Sequence, residues 1–199
     1  MNLNYGVNTM KKLSTLSKSL IIALSALGIG TIAIASGQIP TISGAETSDA
    51  VAISKSKISL EQAIAIAQKT VKGDLTSAEF DQNDYMEGGE FEIKSIASDT
   101  EYEVKIDAST GKVLKTKQEK LDQNDIAEYN ALKQAQFSLI QAMQKATQSV
   151  SGKVLEAEFD FDNGIPAYEI ELAKGMQIHK LVINSMTGQV ISSQLDNDD

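Results

Sequence analysis

An internal repeat constrains the fold of this chain more than any other sequence feature. The repeated segments are 59–67 and 138–146, 78–81 and 157–160, and 91–93 and 168–170. The shift between copies is 79 residues in the first two pairs and 77 in the third, because one loop is two residues longer in the first copy. Self-similarity of this kind indicates two copies of one supersecondary unit.

Each copy has the pattern of one helix followed by antiparallel strands. Ser59 and Gln62 are spaced as in a capping box, apolar residues then recur every three or four positions, and Gly73 predicts the helix end. After each helix the apolar period changes to two, which is typical of strands buried on one face. We therefore expect an α+β fold of two tandem modules, each a helix packed on a three- to four-stranded antiparallel sheet.

The second helix is predicted to be longer than the first, because apolar residues continue its period from near Asp125. The two copies are individually small for independent stability, so we expect either that they share contacts or that this extension bridges them. The expected organisation is a signal peptide at 1–35, a flexible spacer rich in Ser, Thr, Ala and Gly at 36–56, a first repeat at 57–118, a bridging helix with the second repeat at 119–195, and an acidic tail at 196–199.

The amino terminus has the pattern of a secretory signal peptide. Lys11, Lys12 and Lys18 precede an uncharged apolar run over 20–35, which ends in small residues suited to cleavage after Ala35. An uncleaved anchor is the alternative, and it would be the chain's one membrane association. Met10 is a second candidate start beside Met1. We expect a periplasmic or extracellular protein.

Charge and composition exclude several classes of function. Cleavage after residue 35 leaves 15 Lys against 27 acidic residues, a net charge near −12, and the chain has no Arg. Such a protein is unsuited to nucleic acid but can attract basic partners. Without Cys it has no disulfide, no thiolate ligand and no thiol nucleophile.

The residues resemble the PepSY domain, whose pattern is a Ser-Leu-x-x-Ala helix and strands that end in an Asp-x-x-x-Gly-x-Val turn. The first copy carries it at 59–63 and 107–113, while the second copy has Asn184 where Asp is usual. The resemblance implies a non-catalytic module of secreted metallopeptidase propeptides and bacterial envelope proteins, where it is thought to inhibit or regulate peptidases. A shared fold does not establish a shared function.

Catalytic and metal sites are not expected. The lone His179 lies on a strand face with Leu181 and Ile183, which favours a packed, structural role, and no nucleophile or carboxylate is placed beside it by a motif. The segment 160–164 resembles the start of a calcium loop, but it lacks the fifth-position ligand and the closing Glu, so a hairpin turn is favoured. No cofactor is expected.

A set of acidic residues on the predicted strands alternates with the apolar ones and should face away from the helices. Its members are Glu79, Asp81, Glu92, Glu101 and Glu103 in the first copy and Glu156, Glu158, Asp160, Glu169 and Glu171 in the second. One interpretation is a face kept polar for solvation. The other is an electrostatic docking surface for a basic protein, since gathered like charges destabilise a sheet.

The sequence thus predicts an exported, non-enzymatic protein that binds another protein, with a secreted peptidase as the partner that the resemblance implies. The alternative is a passive structural or interaction module of the cell envelope without a peptidase target.

Overall fold

A computed structural model describes residues 46–82, 88–161 and 164–195 of the chain. The predicted signal peptide, the choice between Met1 and Met10, and the acidic tail at 196–199 lie outside these residues. Within them, no helix has both the length and the apolar character needed to cross a membrane.

The described residues form four α-helices and eight β-strands. The helices are α1 (Glu46–Lys55), α2 (Leu60–Thr70), α3 (Gln123–Leu132) and α4 (Leu139–Ser149). The strands are β1 (Asp74–Asp81), β2 (Glu90–Ala97), β3 (Thr100–Asp107), β4 (Val113–Lys120), β5 (Lys153–Asp160), β6 (Ala167–Lys174), β7 (Gln177–Asn184) and β8 (Val190–Leu195).

The strands form one antiparallel sheet in the order β4-β3-β2-β1-β5-β6-β7-β8. The expected α+β class and duplication are confirmed, but a separate three- to four-stranded sheet in each module is not: each copy contributes a four-stranded meander to a common sheet. Its two halves join through β1 and β5, where Ala78 lies opposite Ala157 and both side chains are fully buried. This pairing satisfies backbone groups that would otherwise form an open edge in each module.

Helices α2 and α4 pack on one face of this sheet and cover an aliphatic core. The predicted start at Ser59 is confirmed, and α4 has the same capping box: Ser59 and Ser138 each accept a hydrogen bond from the N–H three residues ahead, and Gln62 and Gln141 accept one in return. The buried positions of α2 are Leu60, Ala63, Ile64 and Ala67, and those of α4 are Leu139, Ala142, Met143 and Ala146. The opposite face of the sheet carries the polar positions of the strands.

Helix α1 corrects the expectation of a flexible spacer over residues 46–55, while positions 36–45 of that spacer lie outside the described residues. Residues 46–55 are helical, and Ala50 and Ile53 are buried in the core. The Lys153 ammonium donates hydrogen bonds to the carbonyl oxygens of Ile53 at 2.9 Å and Ser54 at 3.3 Å, which satisfies two groups near the helix end. The small-residue composition concealed an apolar stripe only one turn long.

Helix α3 is separate from α4, so the prediction of one long helix starting near Asp125 is wrong. The intervening chain is held by two hydrogen bonds of 3.0 Å, from the N–H groups of Gln136 and Phe137 to the carbonyl oxygen of Ser185. These bonds turn the chain away from a helical path before the cap at Ser138. The apolar period continued across the break because both helices reach the core.

The first copy repeats this arrangement. The N–H groups of Lys57 and Ile58 donate to the carbonyl oxygen of Ala108 at 3.0 and 3.3 Å, at positions equivalent to those that hold the chain between α3 and α4. Ala52 of α1 and Ala131 of α3, also 79 residues apart, are both buried. The duplicated unit therefore includes the short helix before each main helix.

The last turn of each module is built by one side-chain oxygen. Asp107 Oδ1 accepts from the N–H groups two and three residues ahead at 2.9 and 2.7 Å, and Asn184 Oδ1 does the same at 3.0 and 2.9 Å. The Asn that departs from the usual pattern thus has the same structural role. Gly111 and Gly188 complete these turns with φ of 71° and 66°.

We predict that Gly188→Ala lowers the free energy of unfolding more than Gly111→Ala does. A left-handed backbone with a Cβ costs about 1 to 2 kcal/mol at both positions. At Gly188 the added Cβ would lie 2.6 Å from the Phe137 ring, whereas at Gly111 its nearest neighbour is Ile66 Cδ1 at 3.3 Å. Overpacking should add about 1 to 3 kcal/mol at Gly188 alone. Urea denaturation measures both, and equal losses would contradict this packing.

Candidate functional site

The acidic residues predicted to share the outer face lie on it, but not at equal density. Glu92, Glu79, Glu156 and Glu171 face one another in sequence across β2, β1, β5 and β6, and we call these four the acidic row. Glu158 lies opposite Glu169 in the neighbouring position. The other members lie farther out: Asp81 and Asp160 end their strands, and Glu101 and Glu103 are on β3.

The acidic row results from the way the modules join. Within a module, the period of two predicts that Glu79 and Glu156 lie on the outer face. It does not predict which strand of the other module pairs with β1. The β1–β5 register brings these two carboxylates opposite each other. Directly opposed side chains in an antiparallel pair have Cβ atoms about 4.5 to 5.5 Å apart, so their charges interact strongly.

Three lysines that the sequence reasoning missed neutralise the outer parts of this face. Lys105 Nζ lies 2.7 Å from Glu90 Oε1 and 2.9 Å from Glu92 Oε2. Lys180 Nζ lies 3.3 Å from Glu169 and 3.2 Å from Glu171, and Lys94 Nζ lies 3.3 Å from Glu92. These lysines alternate with core residues along their strands, and this pattern could have predicted that they lie on the outer face.

These ion pairs affect both partners. Burial alone would raise the pKa of Glu92, but the hydrogen bond from Lys105 and the charge of Lys94 outweigh it and lower that pKa. Burial likewise opposes the charge of Lys180, yet Glu171 and Glu169 raise its pKa above the ordinary lysine value. These glutamates and lysines are therefore held as pairs of opposite charges.

The carboxylates at the module junction are different. Among the described residues, no lysine lies within ion-pair distance of Glu79, Glu156 or Glu158. Burial, followed by repulsion from Glu171, raises the pKa of Glu156 to about 8, and burial with repulsion from Glu169 raises that of Glu158 to about 7. Burial also raises the pKa of Glu79. The centre of the face is therefore a set of under-neutralised acids.

Helix α3 adds a carboxylate that the sequence reasoning did not identify. Burial, with repulsion from Asp160 and Glu158, raises the pKa of Glu128 to about 7. The Tyr129 hydroxyl, next along the helix, donates a 2.8 Å hydrogen bond to Asp74 at the start of β1. The expectation of one continuous helix concealed this position, because α3 was not expected to approach the first module's strands.

The two modules provide an internal comparison for these acids. Glu156 faces Glu171 in the second module, and the equivalent positions of the first module are Ser77 and Lys94, which also face each other. Both pairs occupy the same place in the same strand arrangement. The fold therefore accepts Ser and Lys here, and packing does not require the two glutamates.

His179 lies between Leu172 and Leu195 on neighbouring strands, and its Nε2 is buried without a hydrogen-bond partner. This geometry agrees with a packed, structural role. Among the described residues, no group of three or more potential ligands could hold a metal ion. Positions 162 and 163 of the predicted hairpin turn lie outside those residues, and Gly164 follows with φ of 77°.

Two clefts lie at equivalent places in the modules, beside the starts of α2 and α4, with volumes of about 390 and 490 Å³. Each is closed on one side by the first strand of the other module, at residues 152–154 and 73–75. The capping boxes already satisfy early N–H groups at both helix starts. The clefts therefore offer less distinctive chemistry than the acidic face.

Comparison with known proteins gives one family match. The profile of PepSY, described as the peptidase propeptide and YPEB domain, matches residues 57–117 and 138–194. No curated protein matches the chain.

Two solved structures are similar. A predicted lipoprotein from Clostridium difficile 630 is 26% identical, with a TM-score of 0.44 over 71% of this chain and 95% of that chain. The YpeB C-terminal domain from Bacillus megaterium is 22% identical, with a TM-score of 0.29 over 72% of this chain and 68% of that one.

We predict that the free energy of unfolding falls as the pH rises from about 5 to about 8. Glu128, Glu156 and Glu158 have native pKa values of about 7, 8 and 7, against an ordinary value of 4.5. In this window the native state keeps protons that the unfolded chain has released, so rising pH favours unfolding. Below this window, the lowered pKa of Glu92 has the opposite effect, because it makes the free energy of unfolding rise as the pH rises. Urea denaturation across the pH range measures the slope.

The variant Glu156→Gln should flatten this slope and raise the free energy of unfolding near pH 8 by about 1 to 2 kcal/mol, after allowance for solvent screening. Glu103→Gln is the matched control, because Glu103 lies 2.6 Å from Lys117. It should leave the slope unchanged and cost less than about 1 kcal/mol. A slope that is the same in Glu156→Gln as in the parent chain would show that this carboxyl does not titrate as described.

Proposed function

Because the chain belongs to the PepSY family, we propose that it is an exported, non-catalytic protein that binds a basic surface of another protein through the acidic row. A secreted peptidase is the partner that the family's description suggests, and binding would inhibit or regulate it. The signal-peptide pattern at 1–35 supports export to the periplasm or beyond. The observation that carries the proposal is the set of under-neutralised carboxylates at the module junction.

Those carboxylates destabilise the sheet that holds them. Three of them lack an ion-pair partner, and the first module places Ser77 and Lys94 where the second has Glu156 and Glu171. A basic partner would remove the repulsion and supply the missing counter-charges, whereas solvation alone would be served by neutral polar residues. The row therefore fits an interaction surface whose electrostatic repulsion is relieved when a basic partner binds.

A passive envelope module with no peptidase target is the rival function. The ion pairs of Lys94, Lys105 and Lys180 favour it, because they keep much of the outer face internally neutralised. Crosslinking of the mature chain in the envelope fraction, followed by pull-down and mass spectrometry, separates the two. Recovery of a protease supports peptidase regulation, and recovery of structural envelope proteins supports the rival.

We predict that Glu171→Lys abolishes capture of the partner, because it reproduces the Lys94 arrangement of the first module and reverses a charge in the acidic row. Glu61→Lys makes the same charge change on the exposed surface of α2, across the sheet from the row, and should leave capture intact. Capture by the parent chain should also weaken as salt is added, since counter-ions screen exposed charges. Capture that resists salt and survives Glu171→Lys would overturn docking through this face.

A further inference from the structure

The junction carboxylates face one another from several elements, with few cations among them. Glu156 faces Glu79 on β1, Glu171 on β6 and Lys180 on β7, with Glu158 beside it on its own strand. Glu158 faces Glu79, Glu169 and Lys180, with Asp160 beside it on β5.

The carboxyl group on α3 has similar surroundings. Glu128 faces Asp160 and Glu158 on β5 and Glu101 on β3, with Asp125 on its own helix. Lys180 is the one cation in these sets, and it is already shared between Glu169 and Glu171.

We infer that the acidic row, together with the adjacent Glu158 and Glu128, binds a lysine-rich partner by releasing protons, so that the affinity for that partner is controlled by pH in the neutral range. This inference rests on the proposed function and adds its regulation. The protons come from the carboxyl groups of Glu156, Glu158 and Glu128 and pass to the solvent. Each departing proton leaves a carboxylate that an ammonium group of the partner neutralises.

The geometry explains why protons and partner compete. Protonation relieves repulsion at the junction in the free protein, because the nearby lysines of the described residues are paired with other glutamates. A partner's ammonium groups relieve the same repulsion and favour the ionised form. With pKa values of about 7 to 8 in the free protein, Glu156, Glu158 and Glu128 hold protons at neutral pH that binding displaces.

The second module is where this control is located. Its Glu156 replaces Ser77 of the first module, and its Glu171 replaces Lys94, so the first module's equivalent pair has no excess of acid to titrate. The substitution Glu156→Ser therefore introduces the residue that the first module has at this position, while Glu171 remains opposite it. It should remove part of the pH control without disturbing the sheet.

The test is isothermal titration calorimetry with a capped lysine oligopeptide, whose side chains stay charged from about pH 6 to about pH 8.5. Measurements in two buffers of different ionisation enthalpy count the protons released. The parent chain should release protons near pH 7 and bind roughly tenfold more tightly at about pH 8.5 than at about pH 6. Glu156→Ser should release fewer protons and show a smaller change in affinity, and Glu61→Gln should behave as the parent chain does.

The outcomes separate the inference from the proposed function. Binding that is independent of pH, with no proton released, would overturn the inference and leave the acidic row as a docking surface. No binding of the oligopeptide at any pH would overturn both. Proton release that Glu156→Ser leaves unchanged would also overturn the inference, because the protons would come from carboxyl groups elsewhere.

Discussion

The pairing of β1 with β5 determines most of what is distinctive about this molecule. Each module alone would expose its first strand as an open edge, and joining the two edges produces one eight-stranded sheet, with α2 and α4 packed on one face. Ala78 and Ala157 lie opposite each other on the helical face, where small side chains allow the helices to approach. On the other face, the same register sets Glu79 against Glu156, so the contact that completes the fold also creates its electrostatic strain.

That strain distinguishes the two copies. In the first module Lys94 and Lys105 bind Glu90 and Glu92. In the second module Lys180 is shared between two glutamates, while Glu156 and Glu158 have no lysine at ion-pair distance among the described residues. Duplicated units with the same backbone therefore differ in charge at equivalent positions. Because the fold tolerates either set of residues at these positions, the difference in charge is available for binding a partner.

Sequence patterns predicted what is local. The capping box at Ser59, the change of period after each helix, and the outward direction of the acids all follow from positions a few residues apart. The sequence did not reveal the β1–β5 pairing, which depends on contacts between copies, and so the acidic row could not be distinguished from the wider acidic set. Helix α1 was missed because its apolar stripe is short, and Glu128 was missed because α3 and α4 share one apolar period across a break.

The binding and the pH control both require carboxyl groups that the junction holds close together and out of water. Carbon-detected NMR of the side-chain carboxyl groups in the free mature chain, followed as a function of pH, tests this directly. We expect titration midpoints for Glu156 and Glu158 of about 8 and 7, well above the ordinary pKa of 4.5. If both groups instead titrated near that ordinary value, the modules would not be joined with these carboxylates facing one another, and the acidic row would have no special chemistry.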